Sequence, residues 1–146
     1  MGALSDKLLG DSRTKVEADC VRVIEDEVAS KRGATGLAVK AAFKMITAFK
    51  RDIVPDAVHH LLPDFVTQLE PIYAEFTAAG SGDIASYCTR NGDRIAEALL
   101  GITDQRAESS KHGTLVKAYK KLRPQGKKHV EAAMPRIGAM LAANGC

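Results

Sequence analysis

Between Pro55 and Phe76 apolar residues recur at Val58, Leu61, Leu62, Phe65, Val66, Leu69, Ile72, Tyr73 and Phe76. These are i, i+3 and i+4 steps, the mark of a single buried helical stripe. Three prolines punctuate it, Pro55, Pro63 and Pro71, each eight residues from the next. At roughly 100° per residue, Pro63 and Pro71 project away from the stripe, toward solvent. Pro55 fits a first helical turn without loss. Pro63 and Pro71 each remove an internal hydrogen bond and free a carbonyl, those of His59 and Thr67, at a cost of about 3 kcal/mol per site. Outward prolines predict one central helix from Pro55 to Ala79, bent convex toward solvent. The alternative is a break at Leu62, because a residue preceding proline avoids the α region.

Helical patterning continues on both sides of this segment. Leu4 to Leu9 can form a short helix or an arm. Thr14 with Glu17 three residues on has the form of a capping box, opening a helix with Val16, Cys20, Val23, Ile24 and Val28 on one face. Gly33 interrupts that pattern, and Thr35 can cap a helix carrying Leu37, Val39, Ala42, Phe43, Ile46, Phe49 and Ile53. After a turn over Ala78 to Gly82, Ser81 or Asp83 caps a helix with Ile84, Tyr87, Cys88, Ile95, Leu99 and Ile102. Asn91-Gly92 marks a weak point or short break inside it. Leu115, Val116, Tyr119 and Leu122 form a further helix, and Pro124-Gln125-Gly126 turns the chain into a last one with Val130, Met134, Ile137 and Leu141.

The expected fold is therefore all-α: one domain over residues 1–146, a bundle of six to seven helices around the proline-bent helix, with residues 1–11 as a flexible arm or short helix. Gly36-x-x-Val39-Lys40-Ala41 recurs as Gly113-x-x-Val116-Lys117-Ala118. Val58, Leu62, Pro63, Phe65 and Leu69 also match Val130, Met134, Pro135, Ile137 and Leu141 at a constant offset. A duplicated helical hairpin explains both matches, as do the shared constraints on amphipathic helices.

Composition narrows the function classes. The 146 residues are 45% hydrophobic and 27% charged, ordinary for a soluble globular chain. No uncharged apolar run approaches the roughly 18 residues of a membrane span, and the N-terminus lacks a signal-peptide layout, so a cytoplasmic location is expected. Cys20, Cys88 and Cys146 form no C-x-x-C pair; the first two lie on apolar faces as small hydrophobes, and the third is expected to be exposed. Residues 1–110 carry 13 basic and 17 acidic side chains, whereas residues 111–146 carry 8 basic and one acidic. The basic end holds Lys117, Lys120, Lys121, Arg123, Lys127 and Lys128, which can grip phosphates and are the candidate nucleic-acid contacts. Aromatic interleaving is missing there, since Tyr119 falls on the apolar face.

Catalytic motifs do not emerge. Neither H-E-x-x-H nor the Glu-x-x-His pair of di-iron bundles occurs, and His59 and His60 diverge on a helix, so no metal or cofactor is expected. Gly33-Ala34-Thr35-Gly36 and Gly80-Ser81-Gly82 lack the strand and the Gly-Lys-Ser/Thr ending of a phosphate loop. One polar cluster, Glu97, Asp104, Arg106, Arg123, His129 and Arg136, can converge if the last helices pack together, and salt bridging is its ordinary role.

Several segments carry a resemblance: Gly36-x-x-Val39-Lys40, Leu62-Pro63-x-Phe65, Glu97-Ala98-Leu99-Leu100-x-x-Thr103-Asp104-x-Arg106-Ala107-Glu108, Tyr119-x-x-Leu122-Arg123, and His129-Val130-Glu131-x-Ala133-x-Pro135-Arg136. In these the chain resembles a family of small helical proteins of actinobacteria to which no activity is assigned. The resemblance implies a compact bacterial domain and carries over no catalytic residue. A non-enzymatic interaction or scaffold module, binding a protein partner or a second copy as a homodimer, is the first expectation. Nucleic-acid association through the basic helices is the second. The third is a small molecule held between the helices that begin at Thr35, Pro55 and Ile84.

Overall fold

The stripe between Pro55 and Phe76 lies on one uninterrupted helix, α4 (Ile53–Ala79), in the computed structural model of the chain, which describes residues 2–80 and 82–146. Pro63 and Pro71 both sit inside α4, and no break falls at Leu62. The carbonyl that Pro63 frees, that of His59, accepts a hydrogen bond from Arg13 Nη2 at 2.9 Å. A neighbouring helix thus replaces the internal bond that proline removes.

Around α4 run α1 (Ala3–Leu8), α2 (Arg13–Ser30), α3 (Gly33–Phe49), α5 (Ile84–Arg90), α6 (Gly92–Ser109), α7 (Gly113–Ala132) and α8 (Met134–Ala143). Among the described residues this makes eight helices and no strand, more than the six or seven expected. The added boundary is at Asn91, whose side chain donates to the Tyr87 carbonyl at 2.9 Å and separates α5 from α6. Here the Asn-Gly signal ends one helix and starts another.

Other boundaries shift for equally local reasons. Pro124-Gln125-Gly126 does not turn the chain: α7 runs through it, with Pro124 exposed, and the break comes at Ala133. Pro135 then occupies the first turn of α8, where a missing N–H costs nothing, whereas its counterpart Pro63 is mid-helix. The two halves of the proposed repeat therefore differ at the proline. The capping box at Thr14 is not formed, since α2 begins at Arg13 and Glu17 pairs with Arg13 and His59 instead. Thr35 lies within α3, whose N-cap is Arg32. Asp83 does cap α5, accepting from Ser86 N at 2.9 Å; Ser81 is outside the described residues.

Residues 3–8 form a docked helix rather than an arm. Leu4 and Leu8 are buried in the core, and the open N-terminus of α1 is held by Glu70 of α4, whose carboxylate accepts from Leu4 N at 3.3 Å and Ser5 N at 2.6 Å. A carboxylate at a helix N-terminus satisfies free N–H groups and opposes the helix dipole. Leu4, Leu8, Val16, Leu62, Val66, Ile84, Cys88, Ile95 and Met134 belong to the main core cluster. Beside it α5 and α8 cross almost backbone to backbone, because a Cβ on Gly138 would lie 2.5 Å from Ala85 Cα. Cys146 is partly buried against this core, contrary to its expected exposure, and burial raises the Cys20 and Cys88 thiols to about 11. Among the described residues no helix is long and apolar enough to cross a membrane.

Candidate functional site

The α2 stripe is covered unevenly. Val16, near its start, is 0% exposed, whereas Ile24, two turns further along the same face, is 36% exposed. The gap opens because the second half of α2 faces α6 and α7 without filling the space between them. A cavity of about 330 Å³ results, walled by Val23, Ile24 and Val28 of α2, Leu99 and Leu100 of α6, and Leu122, Gly126 and Val130 of α7, with Phe65 of α4 and Ile137 of α8. Its inner side adjoins a second cavity of about 180 Å³, lined entirely by apolar residues that include Leu8, Cys20, Leu62, Val66 and Met140. Val23, Ile24, Phe65, Leu99 and Ile137 line both. A third space of about 250 Å³ lies across Thr103, Tyr119 and Leu122, between α3, α4, α6 and α7.

Polar groups gather around the outer cavity. Glu27 receives Lys31 Nζ at 3.2 Å on one oxygen and Arg136 Nη1 at 2.9 Å on the other; the Glu27 and Lys31 side chains are only 12% and 13% exposed. His129 Nε2 is buried and finds no hydrogen-bond partner among the described residues. Burial first, and then the Lys31 charge, lower the His129 pKa and keep the imidazole neutral. On another side Asp104 takes a bidentate bond from Arg123, at 2.8 Å to Nε and 3.0 Å to Nη2, together with the Tyr119 hydroxyl. Tyr119 Oη also lies 2.8 Å from Thr103 Oγ1. Arg123 and then Tyr119 hold the Asp104 carboxyl below the usual aspartate range.

The polar cluster read from the sequence does not assemble as one group. Arg123 and His129 line the cavity, Asp104 holds Arg123, and Arg136 joins through Glu27. Glu97 instead pairs with Lys127 at 3.0 Å, and Arg106 with Asp64 at 2.7 Å, both on the surface. Of the six candidate phosphate contacts, Arg123 and Lys127 are held in intramolecular pairs, the latter by Asp93 and Glu97. Lys117, Lys120, Lys121 and Lys128 are exposed, on the side of α7 away from the cavity. His59 is exposed, with Nδ1 2.9 Å from Glu17, and does not sit at a buried edge.

Sequence reasoning missed Glu27 and Lys31. Their i, i+4 spacing at the end of the α2 stripe was the available signal. It also placed a ligand between the helices starting at Thr35, Pro55 and Ile84, whereas α2 and α7 supply much of the observed wall.

Compared with known proteins, the model of a family of unknown function (DUF6918) matches residues 4–144. No curated protein and no solved structure matches the chain.

Proposed function

The chain belongs to the DUF6918 family, and from that premise we propose that it is a non-catalytic small-molecule binder that encloses an apolar ligand between α2, α6 and α7. The observation that carries this reading is the pair of adjoining cavities, about 330 and 180 Å³, with five shared wall residues. Protein interiors are packed like organic crystals, with few voids larger than a water molecule. Side chains that face the inner space of about 180 Å³ lack van der Waals partners on that side. A bound hydrocarbon recovers those contacts, and water does not, because the inner wall offers it no polar partners.

The interaction-module reading has less to rest on. Among the described residues the exposed large apolar side chains are Ile24, Leu37 and Phe49; Ile24 belongs to the cavity wall, and Leu37 and Phe49 stand about 18 Å apart along α3. Nucleic-acid association retains four exposed lysines without an aromatic platform beside them.

Titration with the neutral dye N-phenyl-1-naphthylamine tests the binding reading. One saturable site is expected, weakened at least about tenfold by Val23→Trp, which places bulk in the wall shared by both cavities. Absence of saturable binding, or equal affinity in the variant, overturns it.

A further inference from the structure

The class of ligand follows from the charge at the rim of the outer cavity, and the argument rests on the binding reading above. Glu27 is a single carboxylate placed between two cations, Lys31 and Arg136, so the trio carries one uncompensated positive charge. Lys31 and Glu27 are both largely withdrawn from water, whereas Arg136 is 43% exposed, so the withdrawn Lys31 shares its one carboxylate partner with a solvated cation. The other ion pair at the rim, Arg123 with Asp104, is already neutral. Beside the trio His129 Nε2 is buried without a partner among the described residues, a position that costs free energy until something bonds to it. Beyond these groups the wall is hydrocarbon and continues into the inner cavity toward Leu8 and Met140.

We infer that the ligand is a free long-chain carboxylate, its head held by Lys31 and His129 and its tail running past Val23 and Phe65 into the inner cavity. The carboxylate supplies the negative charge that the Glu27 trio lacks. In the Nε2–H tautomer His129 donates to the second carboxylate oxygen. A neutral alcohol of the same length fills the tail space and leaves the charge unbalanced. An alkylammonium adds a cation where there is already one too many.

Displacement of N-phenyl-1-naphthylamine by dodecanoate, 1-dodecanol and dodecyltrimethylammonium discriminates among these heads. Dodecanoate is expected to displace the dye at least about tenfold more effectively than the alcohol, with the ammonium weakest. Lys31→Met leaves Glu27 paired with Arg136, so the fold is kept. That variant should abolish most of the preference for dodecanoate while leaving the alcohol unchanged, and Lys31→Arg should restore it. Circular dichroism melts of each variant establish that both are folded. Equal displacement by dodecanoate and dodecanol, or a Lys31→Met effect equal on both, overturns the assignment. If the dye binds at a saturable site and dodecanoate does not displace it, the carboxylate assignment fails and the binding reading stands. If the dye itself finds no saturable site, both fail.

Discussion

Asp104 shows how a half-exposed residue can organise its neighbours. Its two oxygens engage Arg123 and Tyr119, and through Tyr119 the network reaches Thr103 on the partition between two cavities. Arg123 and then Tyr119 stabilise the carboxylate form, so the folded chain releases this proton at a lower pH than the unfolded chain does. The sign follows directly. On acidification the unfolded state takes up the proton first, so this contribution is complete above the unfolded value near 4 and is lost as pH falls through the lower folded value. Asp104→Asn should therefore flatten the acid limb of the melting temperature between about pH 5 and 3. Parallel acid limbs for variant and wild type count against the network. In the sequence, Asp104 and Arg123 stood out as members of a polar cluster, but Glu70 and Glu27 did not. Their roles depend on helices far away in the chain: Glu70 closes the N-terminus of α1, and Glu27 meets Arg136 of α8. No local pattern encodes such a meeting.

Helices raise a different question, which is why local breakers win at some positions and lose at others. Asn91-Gly92 separates α5 from α6, and the Asn91 side chain adds a second donor to the Tyr87 carbonyl that its own backbone N–H already reaches. Pro124-Gln125-Gly126 fails to separate anything, since Pro124 faces solvent and Gly126 stays on the cavity wall, where its Cβ position lies 3.5 Å from Leu100. The stripe of α7 continues across it from Leu122 to Val130. Periodicity was thus readable, whereas termini depended on which carbonyls could find partners outside their own helix. Pro63 gives the sharpest case, because Arg13 of α2 occupies the His59 carbonyl that proline frees in α4. Replacing Pro63 with Ala supplies an N–H to that carbonyl and makes the Arg13 bond redundant. Arg13→Met should cost about 1–2 kcal/mol in the wild-type chain and less in the Pro63→Ala background, with a coupling of roughly 0.5–1 kcal/mol. Urea denaturation of the four chains in the cycle measures this. Additive effects would mean that Arg13 serves Glu17 and the His59 ring and not the carbonyl that proline frees.

At the scale of the molecule, packing is lopsided. Leu4, Leu8, Val66 and Met134 are almost wholly buried where α1, α4, α5, α6 and α8 meet. By contrast α7 buries Ala118 alone in 20 residues, and α2 buries Val16 alone in 18. Hydrophobic periodicity could not reveal this, because Val16 and Ile24 belong to the same stripe and only the spacing of α2 from α6 and α7 makes one buried and the other a cavity wall. Such an asymmetry has a dynamic consequence. Amide protons exchange through the least costly opening that frees them, and that cost rises with the apolar contacts an element must break. α7 packs on α6 and α3, yet it and the second half of α2 bury few side chains completely, so their amides should exchange through local opening, at least about tenfold faster than those of α4 and α8, which await unfolding of the dense core. Filling the cavities adds contacts to α2, α6 and α7, and also to Leu8, Leu62 and Val66 on the dense side. Saturation with the neutral dye should slow exchange in α7 and in residues 23–31, since a ligand that binds the closed state raises the cost of each opening that must release it. Uniform protection in the free protein, or no slowing of α7 and residues 23–31 on binding, would show that the cavities are not the weak side of the fold.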